Sequence, residues 1–449
     1  MKVATIILSL MLFAPGLSAQ AKEKLEEVVI KTKKGKVFQK YHKKNGKMHG
    51  DFEEYWKLDH LTEDYLKIKG QFIDGKKTGM WTDWPMWNVP NKKREFEYVD
   101  DKLSGKHTAY GDSGEVEWKG QYKDDKETGE WIRYWPNGEL REQGRMVENL
   151  REGRWKAECD SGWGEGLYAK GKKQAIWQCY TMDWKMLIAE GKYVDDLREG
   201  LWVKYGEGKK KVAEETFAAG KLNGPFCEWY SNGEKKQEGA VGTSGLEGTF
   251  TSWHENGQKR ERMSYKAGKP VGFCESWWED GKKQSETDHD KGTLVYWNKE
   301  GQKTDEDTGG PDGSRIRYYP GGSKSLERKR KKNIVVLETE YHENGQKKAE
   351  GATHEKDRSK RDGKWKFWYD TGDKEAEGEM CLYGRIGKWV EFHKNGKKKS
   401  EGQWFSAFDK LAGKVIEIQI LKWTWWDEEG KETKTENFPD PRKEKLPGK

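Results

Sequence analysis

The run Gly129-Glu-Trp131-Ile-Arg-Tyr134-Trp135-Pro-Asn137-Gly138 returns throughout the chain, and its return limits the fold more than any other feature. Two glycines stand nine apart, aromatic residues fill the second, fifth and sixth places after the first, and Asn-Gly closes the frame. The same frame recurs as Gly224-Pro-Phe226-Cys-Glu-Trp229-Tyr230-Ser-Asn232-Gly233 and Gly248-Thr-Phe250-Thr-Ser-Trp253-His254-Glu-Asn256-Gly257. It returns again as Gly363-Lys-Trp365-Lys-Phe-Trp368-Tyr369-Asp-Thr-Gly372 and Gly387-Lys-Trp389-Val-Glu-Phe392-His393-Lys-Asn395-Gly396. Degenerate copies fill the gaps, and most steps between copies are 20 to 27 residues, with 24 the commonest. A fixed step of that size marks a repeat architecture, in which each unit buries surface only against its neighbours.

The second half of each unit also recurs. A basic stretch ends in Glu-Gly, as in Lys235-Lys-Gln-Glu238-Gly239, Lys347-Lys-Ala-Glu350-Gly351 and Lys397-Lys-Lys-Ser-Glu401-Gly402. A short apolar run and an acidic turn follow, as in Gly120-Gln-Tyr122-Lys-Asp-Asp125 and Gly191-Lys-Tyr193-Val194-Asp-Asp196. Each unit therefore holds two strand-like runs and two turns. Aromatic residues favour pleated strands, and no stretch carries a helical stripe. Asn-Gly is expected to make the type I′ hairpin, because both central residues of that turn need positive φ. Places two and five have opposite parity along a strand. Either a bulge shifts the phase or both faces of the sheet carry aromatic rows.

Composition agrees with a thin sheet. Hydrophobic residues make up 33% of the 449 and charged residues 36%, and the mean hydropathy is −1.15. So few aliphatics would leave an ordinary chain disordered, but 24 Trp, 19 Tyr and 14 Phe argue for order. The expected fold is all-β: an elongated, twisted, single-layer antiparallel sheet of stacked β-hairpins, about fifteen units of roughly 24 residues. The net charge of +7 is small beside 85 basic and 78 acidic residues, so the surface is mixed in sign and no nucleic-acid partner is expected. The dense basic run Arg328-Lys-Arg-Lys-Lys332 reads as a solvated turn.

Residues 1–21 read as a signal peptide: Lys2, an apolar stretch from Val3 to Phe13, a Pro15-Gly16 break, and Ala19-Gln20-Ala21 for cleavage. Export to the periplasm or beyond is expected, with no transmembrane segment left after cleavage. Residues 22–49 form a lead-in and a degenerate first hairpin, and 50–402 the repeat array. Residues 403–437 form a capping hairpin with the last repeat, and 438–449 a disordered tail. Cys159, Cys179, Cys227, Cys274 and Cys381 are too few for a disulfide framework and are read as packing residues, a bridge such as Cys159 with Cys179 being the alternative.

The units resemble the MORN-repeat family in its bacterial variant form. The resemblance lies in Tyr134-Trp135-Pro-Asn137-Gly138, Tyr341-His342-Glu-Asn344-Gly345-Gln-Lys-Lys-Ala-Glu350-Gly351 and Gly363-Lys-Trp365-Lys-Phe-Trp368-Tyr369. It implies a long twisted sheet of stacked hairpins used for scaffolding, partner binding or membrane association. Many bacterial members are assigned as antitoxins of toxin–antitoxin systems, a role that an export signal does not fit. Departures from the pattern follow Trp81-Thr-Asp-Trp84-Pro85, fall at Gly313, and insert Gln403 to Ile420.

Catalytic chemistry has little support. His254, His342 and His393 share the sixth place but sit in units that are not neighbours, so packing outweighs a metal ladder. Glu238, Glu350, Glu377 and Glu401 recur beside basic residues, as cross-strand charge pairs do. No Cys-x-x-Cys, Gly-x-Ser-x-Gly or phosphate-loop motif is present, and Gly162-Trp-Gly164-Glu-Gly166 reads as a turn. No catalytic residue, metal or cofactor is expected. The candidate binding surface is aromatic: Trp131, Tyr134, Trp135, Trp229, Tyr230, Trp253, Trp277, Trp278, Trp365, Trp368 and Tyr369. The leading expectation is a non-catalytic exported scaffold that binds a protein partner or an anionic envelope surface. A carbohydrate- or choline-type cell-wall-binding module is the alternative, and an antitoxin-like protein a second one.

Overall fold

A computed structural model describes residues 25–57, 64–86, 91–160, 162–354, 360–409 and 414–442. The signal segment and residues 443–449 of the tail lie outside the described residues. The protein is all-β. Among the described residues the one helical element is a 3₁₀ turn at Glu207–Lys209. The chain divides into two compact units, Met1–Gly224 and Pro225–Lys449.

In the first unit every strand from Glu26–Lys31 to Lys211–Ala218 pairs antiparallel with the next in sequence. The second unit repeats this meander from Lys235–Gly242 to Glu432–Phe438. Since strands pair only with chain neighbours, each sheet is one layer thick with no central core.

One contact organises both units. The place-two tryptophan lies flat on the glycine of the preceding Glu-Gly or Lys-Gly position: Trp81 on Gly70, Trp131 on Gly120, Trp202 on Gly191, Trp365 on Gly351, Trp389 on Gly378 and Trp423 on Gly402. A methyl group on any of these glycines would stand 2.1–2.4 Å from an indole carbon. Glycine is required there because the ring takes the volume a Cβ would fill. The indole N–H reaches a backbone carbonyl, as from Trp202 to Lys192 O at 3.1 Å and from Trp389 to Glu379 O at 2.9 Å. With that polar atom satisfied, the ring is buried at little polar cost. Between the tryptophans sit Phe72, Tyr168 and Tyr193 from the apolar runs, edge-on to the indoles at 5.1, 5.3 and 6.1 Å.

The Asn-Gly turns are not the type I′ hairpins expected of them. Asn137 and Asn256 are not at positive φ; only the following Gly138 and Gly257 are, at 82° and 81°. Gly257 N–H donates to His254 O and His254 N–H to Gln258 O, which is a three-residue loop ending in a left-handed glycine. The type I′ turns are instead the acidic ones: Asp100-Asp101 at φ 50° and 69°, and Asp195-Asp196 at 50° and 70°. The strain of two left-handed aspartates is offset by bonds to the preceding turn, where Leu103 N–H donates to Asp125 Oδ1 at 2.8 Å and Asp125 N–H to Leu103 O at 3.0 Å.

A bulge falls at the first glycine of the frame. Gly144 pairs with Trp155 while Arg145 pairs with Glu152, which skips Gly153 and Arg154, and Gly153 has φ 75°. From Trp131 to Tyr134 the strand has no extra residue of its own. Places two and five therefore face opposite sides, and both sides carry aromatic rows.

Three further readings change. Gly162–Ala169 is a strand and not a turn; its glycines face Tyr180 O, Cys159 and the Trp177 ring, each too close for a Cβ. Over Gly164, Cys159 and Cys179 form a disulfide with Cα atoms 6.1 Å apart, so these two are not merely packing residues. The insertion Gln403 to Ile420 prolongs two paired strands, from Gln403 opposite Ile420 out to Asp409 opposite Lys414. The strand Glu432–Phe438 pairs beyond it and keeps the end position, with Phe438 packed on Trp425 at 6.4 Å.

Candidate binding surfaces

On the tryptophan side, a basic residue two places before the frame glycine caps the row. Arg198 lies 4.7 Å over Trp202 and 5.1 Å over Phe217, Lys77 lies 4.8 Å over Trp81, and Arg385 lies 5.0 Å over Trp389. This explains part of the basic composition. These cations are seated on rings of the same sheet, each worth about 0.5–2 kcal/mol.

The opposite face carries the place-five rings. Here the lysine three places before the tail glutamate bridges two units. Lys347 reaches Glu350 at 2.6 Å and lies 5.7 Å over Trp368 of the next unit. Lys235 does the same with Glu238 and Trp253, Lys374 with Glu377 and Phe392, and Lys398 with Glu401 and Trp426. Lys388 and Lys398 hold the Glu401 carboxyl below its usual range. At Tyr110 and Tyr205, which hold place five, the hydroxyl donates to the equivalent glutamate, Glu95 or Glu190, whereas Tyr180 donates to Gln178. Burial together with Glu95 pushes Tyr110 up to about 12, and Glu190 together with burial does so for Tyr205.

Place six ties units along the turn edge. The Tyr230 and Tyr369 hydroxyls donate to Trp253 O at 2.9 Å and Phe392 O at 2.8 Å. His254, His342 and His393 set Nε2 3.0, 3.0 and 2.9 Å from the carbonyls of Trp277, Trp368 and Trp426. A carbonyl only accepts, so Nε2 carries the proton. The turn asparagines add parallel bonds, Asn256 to Glu279 O and Asn395 to Glu428 O at 2.7 and 2.8 Å.

The aromatic residues singled out from the sequence divide accordingly. Trp131 and Trp365 are buried, at 1% and 0% exposure, and present nothing to a partner. They are removed from the candidate surface because their glycine partners draw them into the sheet. Tyr134, Trp229, Tyr230, Trp253, Trp277, Trp278, Trp368 and Tyr369 are half-buried. Lysines cover Trp253, Trp278, Trp368 and Tyr369. Trp135 is exposed, beneath Arg141 at 4.9 Å and beside Trp163 at 6.0 Å.

Sequence reasoning missed one cluster. In the hairpin from Gly153, Glu158 and Cys159 replace the usual rings at places five and six, and an open cavity of about 380 Å³ results. Arg141, Glu142, Arg151, Asp160, Tyr168 and Lys173 line it with the disulfide. Arg133 and Arg151 both grip the buried Glu142 at 2.5 Å. Asp160 accepts from Tyr193 at 2.9 Å and from Arg198 at 2.7 Å. Burial works against the Asp160 carboxylate, but Arg198 and Tyr193 outweigh it and keep it below the usual range. Burial lowers Lys173 despite Asp160 and Asp196. With Glu142 and Asp160 both committed to arginines, no free carboxylate pair remains among the described lining residues for acid–base work. The loss of both rings from one copy of the frame was the available signal. Among the described residues no group of three or more His, Cys, Asp or Glu side chains could hold a metal, and no helix is long and apolar enough to cross a membrane.

Three segments, residues 127–148, 246–267 and 385–405, match the family model of the MORN repeat variant. The chain carries MORN-variant repeats. The match at 127–148 starts just past the Asp124-Asp125 turn and ends at Glu148 in the next type I′ turn, so there the family unit corresponds to one hairpin step of the sheet. No curated protein matches the chain. Solved structures with a likeness to it include TcdB2–TccC3–TEV and TcdB2–TccC3–Cdc42, both at 9% identity with TM-scores of 0.15 and 0.13. The Tc holotoxin pore of Photorhabdus luminescens is similar at 10% identity, TM-score 0.15. The matches cover 90–92% of this chain but only 24–26% of those chains, so this chain spans about a quarter of their length. At such TM-scores the likeness carries nothing about function.

Proposed function

We propose that the MORN-variant repeats form a non-catalytic, exported scaffold that binds a protein partner. The observation that carries this reading is that the rings and cations of both faces close on one another. Lys347 between Glu350 and Trp368, and Arg198 over Trp202, leave a preformed sheet that needs no ligand to complete it. A choline- or sugar-type module would need open ring faces, and lysines already cover Trp253 and Trp368. The same lysines are committed to glutamates, which weakens the reading of an anionic envelope surface held by a free basic field. Export is supported by the N-terminal pattern and by the Cys159–Cys179 disulfide, since such bonds persist in oxidising compartments.

Two measurements test the proposal. A fusion of residues 1–224 to a phosphatase that is active only after export should be active, and inactivity would end the localisation reading. Cross-linking of the full chain in its own envelope, with mass spectrometry, should return one saturable protein partner. Retention on choline resin or a glycan array, with elution by the free ligand, would replace the scaffold by the cell-wall-binding alternative.

A further inference from the structure

In the first unit, one part of the face opposite the tryptophan row breaks the chain's own pattern. The residue just past each type I′ turn is lysine at Lys76, Lys102, Lys126, Lys172 and Lys221, but it is leucine at Leu150 and Leu197. The residue after the first frame position is charged at Asp51, Lys106, Glu130 and Arg154, but apolar at Met80, Ile176 and Leu201, where Ala175 replaces the glycine before Ile176. Leu167 and Val194 join them, each alternating with a buried ring or glycine of the tryptophan side: Tyr168 and Gly166 for Leu167, Tyr193 for Val194.

Leu150, Leu167, Ile176, Val194, Leu197 and Leu201 are 38–66% exposed and lie on consecutive paired strands from Leu150–Cys159 to Leu197–Tyr205. Leu150 and Leu197 lean on Gly171 and Gly220 of the following turns, with Cδ2 3.3 and 3.1 Å from where a Cβ would stand, so the row is ordered from turn to turn. Val194 and Ile176 sit where Ile73, Val99, Val147 and Met80 are also exposed and apolar. Leu150, Leu167 and Leu197, which replace polar residues of the other hairpins, gather these exposures into an apolar patch of the kind that marks an interaction surface.

The charges within the stripe define its partner. Arg154 sits opposite Leu167 and Lys192 opposite Ile176. Both are exposed and, among the described residues, neither forms an ion pair. The nearby acids are engaged locally: Glu152 accepts from Lys170 N–H and Glu199 from Ala219 N–H, both at 2.9 Å. Glu190 accepts from the Tyr205 hydroxyl at 2.6 Å, and Glu165, on the same face as Leu167, stands opposite Lys156. We propose that this stripe docks an acidic amphipathic segment of a partner protein, its aliphatic side chains on the Ile176–Leu201 row and its carboxylates on Arg154 and Lys192. The docking surface presupposes the scaffold reading above. A second copy would bring like charges together, and an anionic bilayer surface is the outcome that the vesicle arm of the test detects.

The test uses the full chain and a fluorescent synthetic peptide of alternating leucine and glutamate, with a leucine–lysine peptide as control. Fluorescence anisotropy should show saturable binding of the acidic peptide and at least about tenfold weaker binding of the basic one. Ile176→Lys with Leu201→Lys, and separately Arg154→Glu with Lys192→Glu, should each weaken it by about tenfold or more, at an unchanged unfolding midpoint. Equal binding of the two peptides, binding unaffected by either double variant, or binding to phosphatidylglycerol vesicles alone would overturn the proposal. If the envelope partner is captured equally by the wild-type chain and the Ile176→Lys, Leu201→Lys variant, the scaffold stands and this surface falls.

Discussion

Acidification is expected to weaken the hairpins around His107, and the effect follows from one substitution in the repeat. His107 takes the place-two slot that tryptophan holds at Trp81, Trp131 and Trp155. It is 8% exposed and enclosed by Phe96, Trp118 and Tyr122, with ring centroids 5.5, 4.7 and 5.2 Å away. The tryptophans spend their N–H on a carbonyl, whereas neither imidazole nitrogen of His107 has a partner among the described residues. Burial, reinforced by Arg94 and only partly opposed by Asp83, lowers its pKa from the ordinary 6.5 to about 4. The folded chain thus declines a proton that the unfolded chain accepts between those values. Stability is full above about pH 6.5, falls as pH drops, and levels off below about pH 4. Linkage gives a loss of about 2–3 kcal/mol between about pH 7.5 and pH 4.5. Other carboxylates titrate in part of that range, so the comparison is between the wild-type chain and His107→Phe. Urea denaturation followed by tryptophan fluorescence at several pH values should show the first losing more stability on acidification than the second. Parallel curves for the two proteins would refute the reasoning.

Other perturbations test the remaining contacts. Gly378→Ala places a methyl 2.3 Å from the Trp389 ring and should cost about 1–3 kcal/mol, read as a lower urea midpoint. Cys179→Ser opens a loop with a sequence separation of 20 and should cost about 3 kcal/mol in oxidised protein; a reducing agent should lower the wild-type midpoint alike and leave the variant unmoved. Asn256→Ala removes the bonds to Glu279 O and Gln258 N–H and should cost about 1–2 kcal/mol, with faster amide exchange confined to the turns at Gly257 and Gly281.

Much of the fold was legible because its signals are local and repeated. A frame with two turns per step predicts antiparallel hairpins whatever their register. What stayed hidden depends on register. The glycine in Lys-Ala-Glu350-Gly351 shows its purpose only once Trp365 is known to lie across it. Asn-Gly fits a type I′ turn in isolation, yet a three-residue loop lets Asn256 bond the next hairpin while only Gly257 turns left-handed. The aspartate pairs take the left-handed positions because Asp125 can bond Leu103 of the preceding turn, a partner 22 residues away in sequence. On the candidate surface, Trp131 and Trp368 look alike as aromatics of one frame. Their parity sends one into the sheet and the other under a lysine. The aliphatic stripe was visible only at Leu150, Leu167 and Leu197, as exceptions to a pattern, and it needed the alternation of faces to join Ile176 and Leu201 to them.

The edge bonds have an evolutionary corollary. Tyr230 binds the backbone oxygen of Trp253, and His254 binds that of Trp277, so each joint asks only for a main-chain atom that any copy supplies. Excising the stretch from Gly248 to Val271 would set Tyr230 against the Trp277 oxygen, and duplicating it would reproduce the same joint with a new copy. Copy number can therefore drift by recombination without a matching change at a second site, while the stripe between Leu150 and Leu201 keeps its own address.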